Sequence, residues 1–288
     1  MIEWEWLIII FLIMNNKRLK RSYFYSNSNN FEEIEVLSIF FSNLSGSLKE
    51  GKKVVDNLYF FDENQMLDCN QYVLVNQDTD ELSLFDAGNG LSLNGLIEGM
   101  QKVKLNYKHI SQIYLTHEHV DHVLGLYSLM KLLEANPPKI YAYGETANIL
   151  KKGNESKIFP GSLGITPSMF GVDIIPLDII DLKDCSDIQV TPDFSFKIYY
   201  TPGHSLGSIS YYDLENKILI PGDLVFTGGS FGRYDFPGGS LEVLTESIKF
   251  VNDLDVKYLL PGHMGISSNG NQDIAYSYRM VRSISNFY

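Results

Sequence analysis

Apolar and polar residues along this chain change their period several times, and each change marks an element. NLYFFD (57–62), YVLVN (72–76) and LSLFDAG (82–88) are rich in aromatic and aliphatic residues and read as strands, the last two closed into a hairpin by QDTDE. VLSIFFS (36–42) reads as an earlier strand, separated from 57–62 by a loop containing GSLKEGKK. The period turns helical over 91–103, then returns to a strand at IYLT (113–116). Leu124, Leu126, Leu129, Met130, Leu132 and Leu133 predict a buried helix that stops before the proline pair at 137–138. IYAY (140–143) is a strand and a helix fits 145–152. Between 153 and 193 the periodicity breaks down, with GSLGITPSMFG reading as loop and VDIIPLDIIDL as an edge segment. FSFKIYY (194–200), SISYYD (208–213), KILI (217–220) and VKYLL (256–260) are strands again. Ser240 is placed to cap a helix over 240–253, whose Leu241, Leu244, Ile248 and Val251 share one face, and a last helix fits 272–285. Strands alternate with helices, yet several neighbours are joined by hairpin-length turns. That mixture predicts an α/β fold with mixed sheets.

The N-terminal stretch behaves differently. SYFYSNSNN (22–30) is polar and of low complexity, so residues 1–30 are expected to form a flexible extension ahead of one domain over 31–288. Within it, Trp6 to Met14 is an apolar run far short of the roughly 20 residues that span a bilayer. Glu3 and Glu5 precede it and Lys17, Arg18, Lys20 and Arg21 follow it, the reverse of a secretory signal. No stable membrane insertion is expected. Met14 is an alternative start, which would exclude residues 1–13.

Composition narrows the partners. Hydrophobic residues make up 44% of 288, enough for a sizeable core, and the formal net charge is −12. That balance argues against nucleic acid, whose affinity for proteins comes mainly from Lys and Arg. The two cysteines, Cys69 and Cys185, form no CxxC pair and read as free thiols of a cytoplasmic protein.

The chemistry concentrates in a few places. LTHEHVDH (115–122) holds three of the six histidines, and a strand delivers it. Three more strands end at a Pro-Gly corner followed by a strong ligand type: TPGH (201–204), PGD (221–223) and PGH (261–263). Proline stops the ladder and glycine allows a sharp turn, so each corner presents its ligand rigidly at a strand end. The resulting set is His117, His119, Asp121, His122, His204, Asp223 and His263; His109 lies outside it. Imidazole and carboxylate without thiolate suit Zn, Fe or Mn. Seven ligands exceed one four-coordinate ion but match two divalent ions that share a carboxylate. Such a pair lowers the pKa of bound water and supplies a nucleophile at neutral pH, without Ser or Cys. Its net positive charge in an acidic protein favours a small anionic acyl substrate.

These residues, with FDAG (85–88), resemble the metallo-β-lactamase superfamily from about residue 36 to 270, in the family's order. The resemblance implies an αββα sandwich of two mixed sheets flanked by helices, with two divalent ions, zinc first, at one edge. It implies that His117, His119 and His204 hold one ion, that Asp121, His122 and His263 hold the other, and that Asp223 bridges. Asp121 and Asp223 then carry the catalytic weight, Asp121 by orienting the nucleophile. Asp86 resembles the family's supporting acidic residue. GGSFGRYDFPGG (228–239) is similar to the loop of short glyoxalase II-like hydrolases, which cleave hydroxyacyl thioesters. The same loop resembles persulfide dioxygenases, where one iron would sit on His117, His204 and Asp223. Arg233 in this loop would meet a substrate carboxylate or pair with Asp235. Lactonases and RNA-processing nucleases of the superfamily are further readings. Only 25 residues follow His263, room for one helix, which leaves the thiol carrier open.

Overall fold

Alternation of side chains across each strand decides how this chain layers. The computed structural model describes residues 48–64, 67–159 and 165–285. In the first sheet, β1 (Gly51–Val55), β2 (Leu58–Phe61), β3 (Gln71–Val75), β4 (Leu82–Phe85), β5 (Ile110–Tyr114), β6 (Lys139–Ala142) and β7 (Ile179–Asp181) lie side by side in chain order. The pairs from β1 to β4 are antiparallel and those from β4 to β7 parallel. The second sheet has the order β12 (Tyr258–Leu259), β11 (Ile218–Ile220), β10 (Ile209–Asp213), β9 (Phe194–Tyr200), β8 (Asp187–Thr191). Its pairs are antiparallel except β11 with β12.

Odd and even residues of one strand feed different cores. Leu84 on β4 and Ile113 on β5 face a core built with Leu96 and Met100 of α1 (Leu93–Lys102), Val123 of α2 (Val120–Val123), Leu126 and Leu129 of α3 (Gly125–Leu132), Ile149 and Leu150 of α4 (Gly144–Lys152) and Ile158 of α5 (Glu155–Ile158). Their neighbours Phe85 and Tyr114 face the second sheet and meet Phe196, Ile198, Ile209, Tyr211, Ile218 and Ile220. Tyr212 and Leu219 point out the far side, onto Leu244, Ile248 and Val251 of α6 (Leu241–Asn252) and Ile274 and Val281 of α7 (Gly270–Ser285). The four layers are helix, sheet, sheet, helix. Phe85 pins the middle core: its ring centroid lies 5.2 Å from Tyr114 and 5.3 Å from both Phe196 and Tyr211. Pairs of this kind contribute about 0.5–1.5 kcal/mol each beyond their buried area.

This topology puts one set of strand ends together. β4 and β5 are parallel, so Asp86 and His117 leave from one edge of the first sheet. β9 and β11 both oppose β10, and β11 parallels β12, so the corners after β9, β11 and β12 also share an edge. Hydrogen bonds join the two edges. Ile209 N–H donates to the Thr116 carbonyl at 3.0 Å, Tyr211 Oη to the Leu115 carbonyl at 2.9 Å and Tyr72 Oη to the Pro261 carbonyl at 2.6 Å.

Three sequence expectations change. GSLKEGKK does not end in a loop: Gly51–Val55 is a strand at the sheet edge, where exposed Lys52 and Lys53 break the hydrophobic alternation and guard against edge pairing. Residues 187–191 form β8, a short edge strand, exposed at Asp187 and Gln189, whose register shifts before Thr191 and leaves Val190 and Thr191 both buried, which interrupts the alternation. The histidine motif itself carries a short helix, α2, directly ahead of the expected one, α3, with Leu124 between them. The strand expected at 36–42, the extension over 1–30 and the apolar run at 6–14 lie outside the described residues. Among the described residues no helix is long and apolar enough to cross a membrane. Ser240 caps α6 as expected, its Oγ accepting from Val243 N–H at 3.3 Å.

A buried ion pair ties the lead into β1 to the loops beneath the site. Lys49 Nζ, fully buried, lies 2.7 Å from Asp68 Oδ2 and donates to the Cys69 carbonyl and to Gln71 Oε1. Asp68 accepts in turn from Asn64 N–H, Asn89 N–H and Ser92 Oγ. Lys49→Met leaves a buried carboxylate without its cation, so it should destabilise the fold by about 3–5 kcal/mol, read as a lowered denaturant midpoint.

Candidate metal centre

All seven residues predicted from the sequence meet at the shared strand edge. His117, His119 and His204 form one group and Asp121, His122, Asp223 and His263 another; in each, the potential ligand atoms lie within 4.8 Å of one another. Asp223 stands between the groups. Its Oδ2 is 3.4 Å from His204 Nε2 and 3.2 Å from His263 Nε2, and its Oδ1 is 3.3 Å from His122 Nε2. Close packing at a Pro-Gly corner makes this possible. A Cβ on Gly262 would lie 2.2 Å from Asp223 Oδ1 and 2.8 Å from His122 Cε1, so only glycine fits before His263.

Each imidazole is oriented by its outer nitrogen. His117 Nδ1 is 3.0 Å from Thr116 Oγ1, which donates to Asp86 Oδ2. His122 Nδ1 is 2.9 Å from the same Asp86 oxygen. His204 Nδ1 is 2.7 Å from the Arg233 carbonyl, and His263 Nδ1 is 2.6 Å from Glu63 Oε2. Such partners set tautomer and ring angle in metal sites. His119 differs: its Nδ1 faces inward, 2.8 Å from His204 Nε2.

The inner atoms are incompletely satisfied. His117 Nε2, His122 Nε2 and Asp223 Oδ1 are buried and have no hydrogen-bond partner; the 3.3 Å approach of the last two is not aligned as a hydrogen bond. Buried polar groups are nearly always paired, and three orphans shared between these two groups fit cation sites. Neutral imidazole is what a cation needs, and burial supplies it: His117 is pushed well below the usual range, first by burial and then by His122 and His119. Burial also lowers His119 and takes His204 down to about 4, against the pull of Asp223. His122 and His263 move up instead. Burial opposes their charge but is outweighed, at His122 by Cys69, Asp86, Asp223 and Asp121, and at His263 by Asp223, Asp121 and Glu63. Burial resists ionisation of Asp121 too, yet His122 and His263 hold its carboxyl at about 2.

Three supporting side chains had no signal in the sequence beyond their type. Glu63 accepts from Met264 N–H at 2.7 Å as well as orienting His263. Glu118 is buried and accepts from Thr146 Oγ1 and Ser205 Oγ, locking the histidine loop to α4 and to the corner after β9. Asn70 donates from Nδ2 to the Pro261 and Met264 carbonyls, fixing the last corner from both sides. Spacing could not reveal them, because each works through a fold contact far along the chain. Arg233 lies on the cavity but its Nε and Nη2 donate to Asp235 at 2.9 and 2.7 Å, and its guanidinium covers Phe236 at 4.3 Å. His109 sits at the opposite end of β5 from His117, exposed, with Nδ1 3.2 Å from the Asp80 carbonyl.

Comparison with known proteins agrees with this geometry. A family model described as the metallo-beta-lactamase superfamily matches residues 65–263. The hydroxyacylglutathione hydrolase GloC of Haemophilus influenzae is 29% identical over 203 residues, 69% of this chain and 87% of that protein. The acyl-coenzyme A thioesterase MBLAC2 of Bos taurus is 29% identical over 155 residues, 51% of this chain and 54% of that protein. The crystal structure of TTHA1623 in a di-iron-bound form superposes with a TM-score of 0.57 at 25% identity, covering 73% of this chain and 94% of that one.

Asp86 holds Thr116 N–H and Oγ1 and His122 together, all buried. Asp86→Ala leaves those donors unsatisfied and should cost about 3 kcal/mol or more. Denaturant unfolding of chelator-treated protein should show that loss without any metal present.

Proposed function

The chain belongs to the metallo-β-lactamase superfamily as a metallo-hydrolase, and on that premise we propose that it cleaves thioesters or closely related acyl compounds with two divalent cations. The observation that carries this is Asp223, whose two oxygens face two complete groups of ligand-type atoms while buried Nε2 atoms of His117 and His122 lack partners. His117, His119 and His204 would hold one cation, Asp121, His122 and His263 the other, with Asp223 shared. Bound there, the cations would supply Lewis acidity and lower the pKa of bound water towards about 7. Asp121, ionised and on the cavity wall, accepts a hydrogen bond from the attacking water and so orients it. His204 and His263 are held in place by the Arg233 carbonyl and Glu63, so neither ring has to reorganise during turnover.

The acyl class is supported by two relatives whose names specify hydrolysis of hydroxyacylglutathione and of acyl-coenzyme A. Zinc suits the donor set, as does iron, which the di-iron relative carries. A single-iron dioxygenase on His117, His204 and Asp223 would leave Asp121, His122 and His263 gathered without a task, which favours the hydrolase. The free cysteines Cys69 and Cys185 suit a reducing, cytoplasmic setting.

Asp223→Ala should abolish thioester hydrolysis and release at least one metal per chain, measured by elemental analysis of the purified variant; full turnover with unchanged metal content would refute the shared-ligand role. His109→Ala should leave both nearly unchanged. Cations must displace the protons carried by His122 and His263, whose pKa values are raised in the metal-free site. Apparent metal affinity should therefore climb with pH, by about tenfold per unit for each proton displaced, in chelator competition at pH 6, 7 and 8.

A further inference from the structure

The cavity over the metal centre is lined by two unlike sets of side chains. It encloses about 600 Å³, within the range that holds a small organic ligand. His119, Asp121, His204, Asp223 and His263 line it together with apolar Leu67, Val120, Phe226, Phe231 and Phe236. These rings are held rigidly. Phe236 stands edge-on to His119 at 5.7 Å and Phe226 to His263 at 5.7 Å, while the backbone of Phe231 pairs with that of Val225. Gly232 draws the loop close: a Cβ there would lie 1.8 Å from the Asp223 carbonyl oxygen. The aromatic side chains are therefore fixed next to the reacting centre.

Charge on this cavity is already committed. Beyond the imidazoles, Arg233 is the cation among its described lining residues, and its guanidinium is forked onto Asp235. Glu63 pairs with His263 and Asp68 with Lys49. A carboxylate at the far end of an acyl chain would meet benzene rings and no uncommitted cation, and would lose its water there.

In place of the anionic acyl substrate expected from the site's charge, we propose that the acyl group is apolar and uncharged, and that Phe226, Phe231 and Phe236 seat it, so that chain length sets substrate preference. This rests on the thioester reading above. Each methylene moved from water onto these rings should improve binding about three- to fourfold until the rings are covered.

The test uses metal-loaded protein and S-acyl N-acetylcysteamine thioesters from acetyl to octanoyl, with glutaryl set against pentanoyl. kcat/KM should rise about threefold per methylene, and glutaryl should fall at least tenfold below pentanoyl. Phe231→Ala and Phe236→Leu should each flatten the length dependence, losing more on hexanoyl than on acetyl. Binding of the non-hydrolysable S-alkyl thioethers, followed by calorimetry, should show the same step per methylene. A flat series in calorimetry, or preference for glutaryl, overturns the apolar assignment. If the thioethers bind with the expected length dependence but no thioester is cleaved, the thioester reading fails and the apolar site stands.

Discussion

The structure depends on one unsatisfied carboxylate. Asp223 is buried between two groups of imidazoles, and the protein alone does not complete its hydrogen bonding. Removing an ionised carboxylate from water is costly unless charge compensates it nearby. Asp223 in turn favours the charged forms of His122 and His263, which lie against it; bound cations would compensate it more fully. Either way, positive charge must sit in this cleft, and much of the fold arranges for it. The parallel pairs β4–β5 and β11–β12, with β9 running the same way as β11, bring four chain corners to one edge.

Around that charge the protein builds outward in rigid steps. Asp86 serves two imidazoles at once, one directly and one through Thr116. Glu118 and Asn70 fasten the loops that carry the ligands without touching the centre of the site. Arg233 works through its backbone carbonyl on His204, while its charged end is tied to Asp235. The loop thus serves the imidazole from behind and offers its aromatic residues to the cavity.

The fold and the gathering of the seven side chains were legible in the sequence because they rest on local signals. Strand runs ending at Pro-Gly or in HxHxDH announce both the element and its corner. Long-range supports were not legible. Glu63 and His263 are 200 positions apart, and nothing near either residue encodes the pairing. The strand Gly51–Val55 was hidden for another reason: its lysines suit an exposed edge and erase the apolar alternation that strand reading relies on. At β8, a single register shift before Thr191 removed the pattern.

The order of the corners along the chain has a consequence for biosynthesis. HxHxDH emerges from the ribosome well before the corners at His204, Asp223 and His263. During synthesis the early histidines can offer an ion only a partial, solvent-exposed grip. The second group of ligand-type atoms is complete only when β12 docks beside β11 and brings His263 into place. A cation that needed both groups could therefore be held only after His263 has joined them.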